Sequence, residues 1–90
     1  MGTIAVKIKI MPASPGTNLK KIEEEAKKIL EKDGGENPSF TEEPIAFGLK
    51  ALILFFAWPE EKEIESLEQK FGKIKEVNSV QIIDMRRAFG

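Results

Sequence analysis

Apolar and polar residues alternate from Thr3 to Met11. Ile4, Val6, Ile8 and Ile10 fall on one side, and Ala5, Lys7 and Lys9 on the other. A period of two is that of a strand with one face in a core. Pro12 has no N–H to donate and ends the ladder, and Pro12-Ala13-Ser14-Pro15-Gly16 is a loop by composition. The period then becomes helical: Leu19, Ile22, Ala26, Ile29 and Leu30 lie on one stripe. Thr17 or Asn18 can cap this helix by accepting from an orphan N–H. Glu23–Lys27 and Glu24–Lys28 have the favourable i,i+4 order, which stabilises a helix by about 0.2–0.5 kcal/mol per pair. Lys32 suits the negative end of the dipole, and Gly34-Gly35 supplies a left-handed stop.

The stretch from Glu36 to Pro44 is weakly patterned. It predicts a short, irregular edge strand over Ser39–Phe47, because Pro44 is tolerated only at an edge. Gly48 marks a turn or bulge. Leu49 to Trp58 is apolar in both phases, which predicts a central strand covered on both faces, by the fold itself or by a partner. Pro59 ends it. A second helix is expected over Glu60–Phe71, with Ile64, Leu67 and Phe71 inward, Glu60, Glu61 and Glu63 opening it, and Lys70 and Lys73 closing it before the Gly72 stop. Val77 and Val80–Met85 form a last strand. Strand, helix, strand, strand, helix, strand is the split βαβ arrangement. The predicted fold is α+β and ferredoxin-like: a four-stranded antiparallel sheet, the first and third strands central, with two helices on one face.

Ninety residues make one domain, spanning 1–90. There is no Cys and no His. Disulfides, thiol redox, imidazole catalysis and Cys/His metal sites are therefore excluded, and no metal or cofactor is expected. A hydrophobic fraction of 41% supports one packed core. The net charge of −1 argues against general nucleic-acid binding. The longest apolar run, Ala51 to Trp58, is too short to cross a bilayer, and the N-terminus lacks a signal-peptide block. A cytoplasmic protein with no membrane contact is the expectation. The charged content of 32% is mostly Glu and Lys. A thermophile's ion-pair networks and the plain helix propensity of Glu and Lys account for it equally well.

The fold hosts many activities. A metal carrier of this shape needs a thiol pair after the first strand, and Pro12-Ala13-Ser14-Pro15 stands there. An acylphosphatase-like enzyme needs an Arg in that loop, and the only arginines are Arg86 and Arg87. An RNA-recognition module stacks bases on aromatics of both central strands. The first strand has none, and Phe55, Phe56 and Trp58 do not follow the required pattern.

Two features stand out. Phe47 sits beside Gly48 between an edge segment and a buried strand. By position it serves first as a plug at the end of the core and second as an exposed anchor for a partner. Arg86, Arg87 and Phe89 end the chain, as a solvated basic end or as a hook for an anionic site.

Three motifs extend these readings: Val6-Lys7-Ile8-Lys9-Ile10-Met11-Pro12, Phe47-Gly48-Leu49-Lys50-Ala51-Leu52 and Val80-Gln81-Ile82-Ile83-Asp84-Met85-Arg86-Arg87-Ala88. With them the chain resembles, over nearly its whole length, the archaeal elongation factor 1-beta family of guanine-nucleotide exchange factors. The resemblance implies a partner, the GTPase elongation factor 1-alpha in its GDP-bound or nucleotide-free state. It implies no enzyme chemistry, no nucleic-acid contact and a monomer when alone. It implies partner contacts at Phe47, Gly48, Lys50, Asp84, Arg86, Arg87 and Phe89. In eukaryotic members an aromatic residue of the Phe-Gly motif enters a pocket of the GTPase. A lysine near their C-terminus helps dislodge magnesium. This chain has no lysine after Lys75, which leaves Arg86 or Arg87 to supply the charge. The alternative function is a regulatory or oligomerising domain that uses the third strand as its interface.

Overall fold

The structure is a computed structural model and describes residues 2–89, without the side chains of residues 88 and 89. Six elements follow in order: β1 (Thr3–Pro12), α1 (Leu19–Lys32), β2 (Glu36–Pro44), β3 (Lys50–Pro59), α2 (Glu65–Gly72) and β4 (Val77–Phe89). The sheet is antiparallel throughout, in the order β2-β3-β1-β4. This is the predicted ferredoxin-like arrangement, with the first and third strands central.

The period of two in β1 decides which face packs. Val6, Ile8 and Ile10 are buried, and they stand opposite Phe56, Leu54 and Leu52 of β3. The α1 stripe adds Ile22, Ala26 and Leu30, and α2 adds Leu67 and Phe71. Each such aliphatic side chain contributes about 1.5–3 kcal/mol on full burial. Phe56 and Trp58 meet edge to face, with ring centroids 6.0 Å apart. The Trp58 indole N–H donates to the Lys62 carbonyl at 3.2 Å, so a buried polar group has its partner.

The other phase of β3 lies on the sheet face that carries no helix. Ala51 and Ile53 are buried there, but Phe55 is 44% exposed, beneath the Lys7 ammonium at 6.0 Å. The expectation of cover on both faces thus holds for one half of the strand only. Lys7 and Lys9 lie directly opposite Phe55 and Ile53, where long aliphatic stems are suited to shield a neighbouring apolar side chain.

Several boundaries differ from the expected ones. β2 covers Glu36–Pro44 instead of Ser39–Phe47, since the tight hairpin to β3 needs Ile45–Leu49 as its loop. Asn37 takes φ 55° in an irregular register that lets the strand start early. α2 begins at Glu65, not Glu60. The Lys62 N–H bonds the Pro59 carbonyl at 3.1 Å, and that turn, clasped by Trp58, occupies the residues expected to open the helix. Ile64 is buried before the helix, while Glu65 and Glu68 supply its first-turn acids. Lys73 is the residue after the helix, and Gly72 is its last residue without a positive φ. Asn18 is the cap of α1, accepting from the Lys21 N–H at 3.3 Å, and Gly34 makes the left-handed exit at φ 100°. The pairs Glu23–Lys27 and Glu24–Lys28 are not closed within 4.0 Å among the described residues. Long exposed side chains lose more rotamer entropy on pairing than a solvated ion pair returns.

Candidate functional site

The β2–β3 hairpin builds the first part of the site. Pro44 and Lys50 are its last ladder pair. Beyond them the Ile45 N–H donates to the Leu49 carbonyl at 2.7 Å, and the Leu49 N–H to the Ala46 carbonyl at 3.3 Å. This leaves Ala46, Phe47 and Gly48 to reverse the chain, with Phe47 at φ 63°, ψ 31° and Gly48 at φ 76°. Glycine adopts such angles freely, whereas an L side chain there costs roughly 1–2 kcal/mol.

The Phe47 ring is 94% exposed, so it does not plug the core. A large apolar ring is thus held in water on a strained main chain. Both costs fall on one residue and bring no packing in return, the pattern of a binding residue.

Lys50 is exposed beside the hairpin, with its Nζ 3.9 Å from Oε1 of Glu42 on β2. Behind Gly48 stands the loop between β1 and α1. A Cβ at Gly48 would lie 4.0 Å from that of Pro15. The loop is itself tied down. The Ser14 N–H donates to Thr17 Oγ1, the Thr17 N–H to the Ser14 carbonyl, and the Ala13 N–H to the Glu76 carbonyl at 2.8 Å. The hairpin tip therefore rests on a braced support.

The second group is not a loose tail. Asp84, Arg86 and Arg87 are rungs of the β1–β4 ladder, opposite Lys7, Ala5 and Ile4. The ladder reaches Thr3↔Phe89 through register shifts at Lys7/Ile8 and Thr3/Ile4. Such bulges re-aim side chains along an edge strand. Arg86 Nε sits 3.0 Å from an Asp84 carboxylate oxygen, and Arg87 pairs with Glu60 in the turn before α2. The Phe89 side chain, expected to touch a partner, lies outside the described residues.

The structure does not bring the two groups together. Phe47, Gly48 and Lys50 lie beyond the Pro12 end of β1. Arg86 and Arg87 lie at its Thr3 end. Most of β1 separates them, about 25 Å at the ordinary rise of a strand.

Three exposed apolar residues escaped the sequence reading: Phe55, Ile83 and Met85. For Phe55 no signal could decide, because both phases of β3 are equally apolar. Ile83 was visible as an apolar residue out of phase with Val80 and Ile82. No cluster of metal-ligating residues occurs among the described residues, and no described helix is long and apolar enough to cross a membrane.

Residues 5–88 match the family model of the EF-1 guanine nucleotide exchange domain. Elongation factor 1-beta of Methanosarcina barkeri is 42% identical over 88 residues, covering 97% of this chain and 99% of that protein. Elongation factor 1-beta of Methanocaldococcus jannaschii is 38% identical over 89 residues, covering 98% and 100%. Among solved structures, the ACT domain from the GTP pyrophosphokinase of Chlorobium tepidum superposes with a TM-score of 0.63 at 14% identity, over 90% of this chain and 99% of that one. That likeness is one of fold.

Proposed function

The chain belongs to the EF-1 guanine nucleotide exchange domain family and is a nucleotide exchange factor, and from that premise we propose how it works and on what. Its partner is the GTPase elongation factor 1-alpha, met in the GDP-bound state and held nucleotide-free until GTP enters. It acts as a monomer in the cytoplasm, and its own side chains make and break no covalent bond. The observation that carries this reading is the Phe47 ring, offered to solvent on a left-handed backbone.

Exchange needs only a difference in affinity. A factor that binds the empty GTPase more tightly than the loaded one weakens the nucleotide by the same ratio, and nucleotide weakens the factor in return. Phe47 is the anchor, inserted into an apolar pocket, with Gly48 and Lys50 beside it. Arg86 or Arg87 supplies positive charge toward the magnesium and phosphate region, taking the place of the eukaryotic lysine. Asp84 orients Arg86 through their 3.0 Å contact. Because the two groups stand a strand length apart, the partner must touch both ends at once. The domain then works as a rigid spacer between an anchor and a charged end.

The test is release of a fluorescent GDP analogue from elongation factor 1-alpha at fixed magnesium, with and without this protein. Accelerated release supports the reading, and no acceleration with an active GTPase overturns it. The oligomerising alternative has less to stand on, because both edges of β3 are taken by β1 and β2 and its open face exposes only Phe55.

A further inference from the structure

A groove of about 490 Å³ runs between α1 and the end of α2, on the helix side of the molecule. Its volume is in the range of roughly 300–1,000 Å³ typical of ligand sites. The half-buried Ile29 and Ile74 form its apolar floor, with the buried Ile22 behind them. Lys21, Lys70, Lys73 and Lys75 stand on its rim, against Glu25 and Glu76. Lys70 is engaged by Asp33 at 2.7 Å, and Glu76 accepts from the Thr17 hydroxyl at 3.4 Å. Lys21, Lys73 and Lys75 have no ion-pair partner within 4.0 Å among the described residues. The first turn of α1, which opens onto the groove, contains Lys20 and Lys21 and no acid. The positive end of the helix dipole is therefore reinforced there. In a protein of net charge −1, the groove sets four lysines against two glutamates, a local surplus of positive charge.

We propose that this groove binds an acidic amphipathic segment of a partner protein, apolar side chains on the isoleucine floor and carboxylates on the free lysines. An amphipathic helix laid in an apolar groove is a recurrent mode of peptide recognition. Among the described residues no aromatic lines the trough, which there lacks the stacking platform that single-stranded nucleic acid uses. The inference rests on the groove alone and is independent of the role assigned to Phe47.

The probe is a fluorescein-labelled synthetic helical peptide with leucines at three- and four-residue spacing and glutamates on the flanks, followed by anisotropy. Saturable binding is expected. The exposed-site variant Lys21→Glu/Lys73→Glu/Lys75→Glu weakens it by about tenfold or more, equivalent to about 1.4 kcal/mol. In methyl spectra the signals of Ile29 and Ile74 shift on binding, while Ile53 on the opposite sheet face stays still. A peptide with its leucines replaced by serine fails to bind. Equal affinity for that serine peptide would reduce the site to bare ionic attraction and overturn the proposal. So would stronger binding of a single-stranded RNA of equal charge, or shifts centred on Ile53.

Discussion

Phe47 and Gly48 show how two adjacent residues with similar backbone angles can carry different meanings. Gly48 needs its positive φ for the turn and loses nothing by it. Phe47 makes the same kind of turn at a cost and gains no burial. Replacing Phe47 by Ala should leave stability within about 0.5 kcal/mol, as for an exposed side chain without contacts. The same change should slow GDP release by about thirtyfold or more, a loss of about 2–4 kcal/mol if Phe47 is an anchor. Phe47→Gly should be more stable than Phe47→Ala by up to about 1 kcal/mol in denaturant melts while exchanging equally poorly. Unfolding of either variant would return Phe47 to the core. Asn18 is a simpler case: its side chain satisfies one helix donor, so Asn18→Ala should cost about 1 kcal/mol in the same melts. The cap was legible because few side chains can accept at that position. The direction of the Phe47 ring was not. A single aromatic beside a glycine closes a core or leaves it with the same letters, and only the hairpin's hydrogen bonds decide.

At the scale of elements, periodicity located β1 and α1 closely, because each has one phase that must meet a core, and an unbroken apolar run between Gly48 and Pro59 located β3. It failed where packing and not pattern sets the boundary. The acid-rich stretch before α2 looks like a helix start, but Trp58 clasps Lys62 and holds it as a turn. β2 slid toward the N-terminus because its hairpin consumes five residues. β4 ran past Met85 because Arg86, Arg87 and, past a register shift, Phe89 find partners on β1, whatever their polarity. Arg86 and Arg87 are accordingly presented by a strand instead of a tail, so a contact made through them would cost less chain entropy. Arg86→Ala/Arg87→Ala should slow nucleotide release while the circular-dichroism melt is little changed, since both side chains are exposed and their partners lie at the surface. An unaltered release rate would remove the charge role from this end.

For the whole molecule, one layer of helices on one sheet face leaves the opposite face and both ends free. Phe47 and the arginines occupy the two ends, and the length of β1 stands between them. Neither end was hard to find in the sequence as a motif. Their separation was not visible there, because the distance follows from which strands pair and in which direction. If both ends act on one partner, combining Phe47→Ala with the arginine double variant should cost more than either alone. Their effects on the binding free energy should nearly add, as expected for sites that share no contacts.

The placement of β1 also governs how the chain comes into being. Of the four strands, β1 is made first and lies at the centre of the sheet, and one of its two neighbours is β4, the one made after the other three, with Thr3 opposite Phe89. Pairing across nearly the full length of a chain makes loop closure slow and late. Until β4 is complete, β1 keeps one edge bare, a template for the wrong strand. A nascent chain arrested before Val80 should therefore be open to protease along β1 and prone to associate, and completion of β4 should end both together.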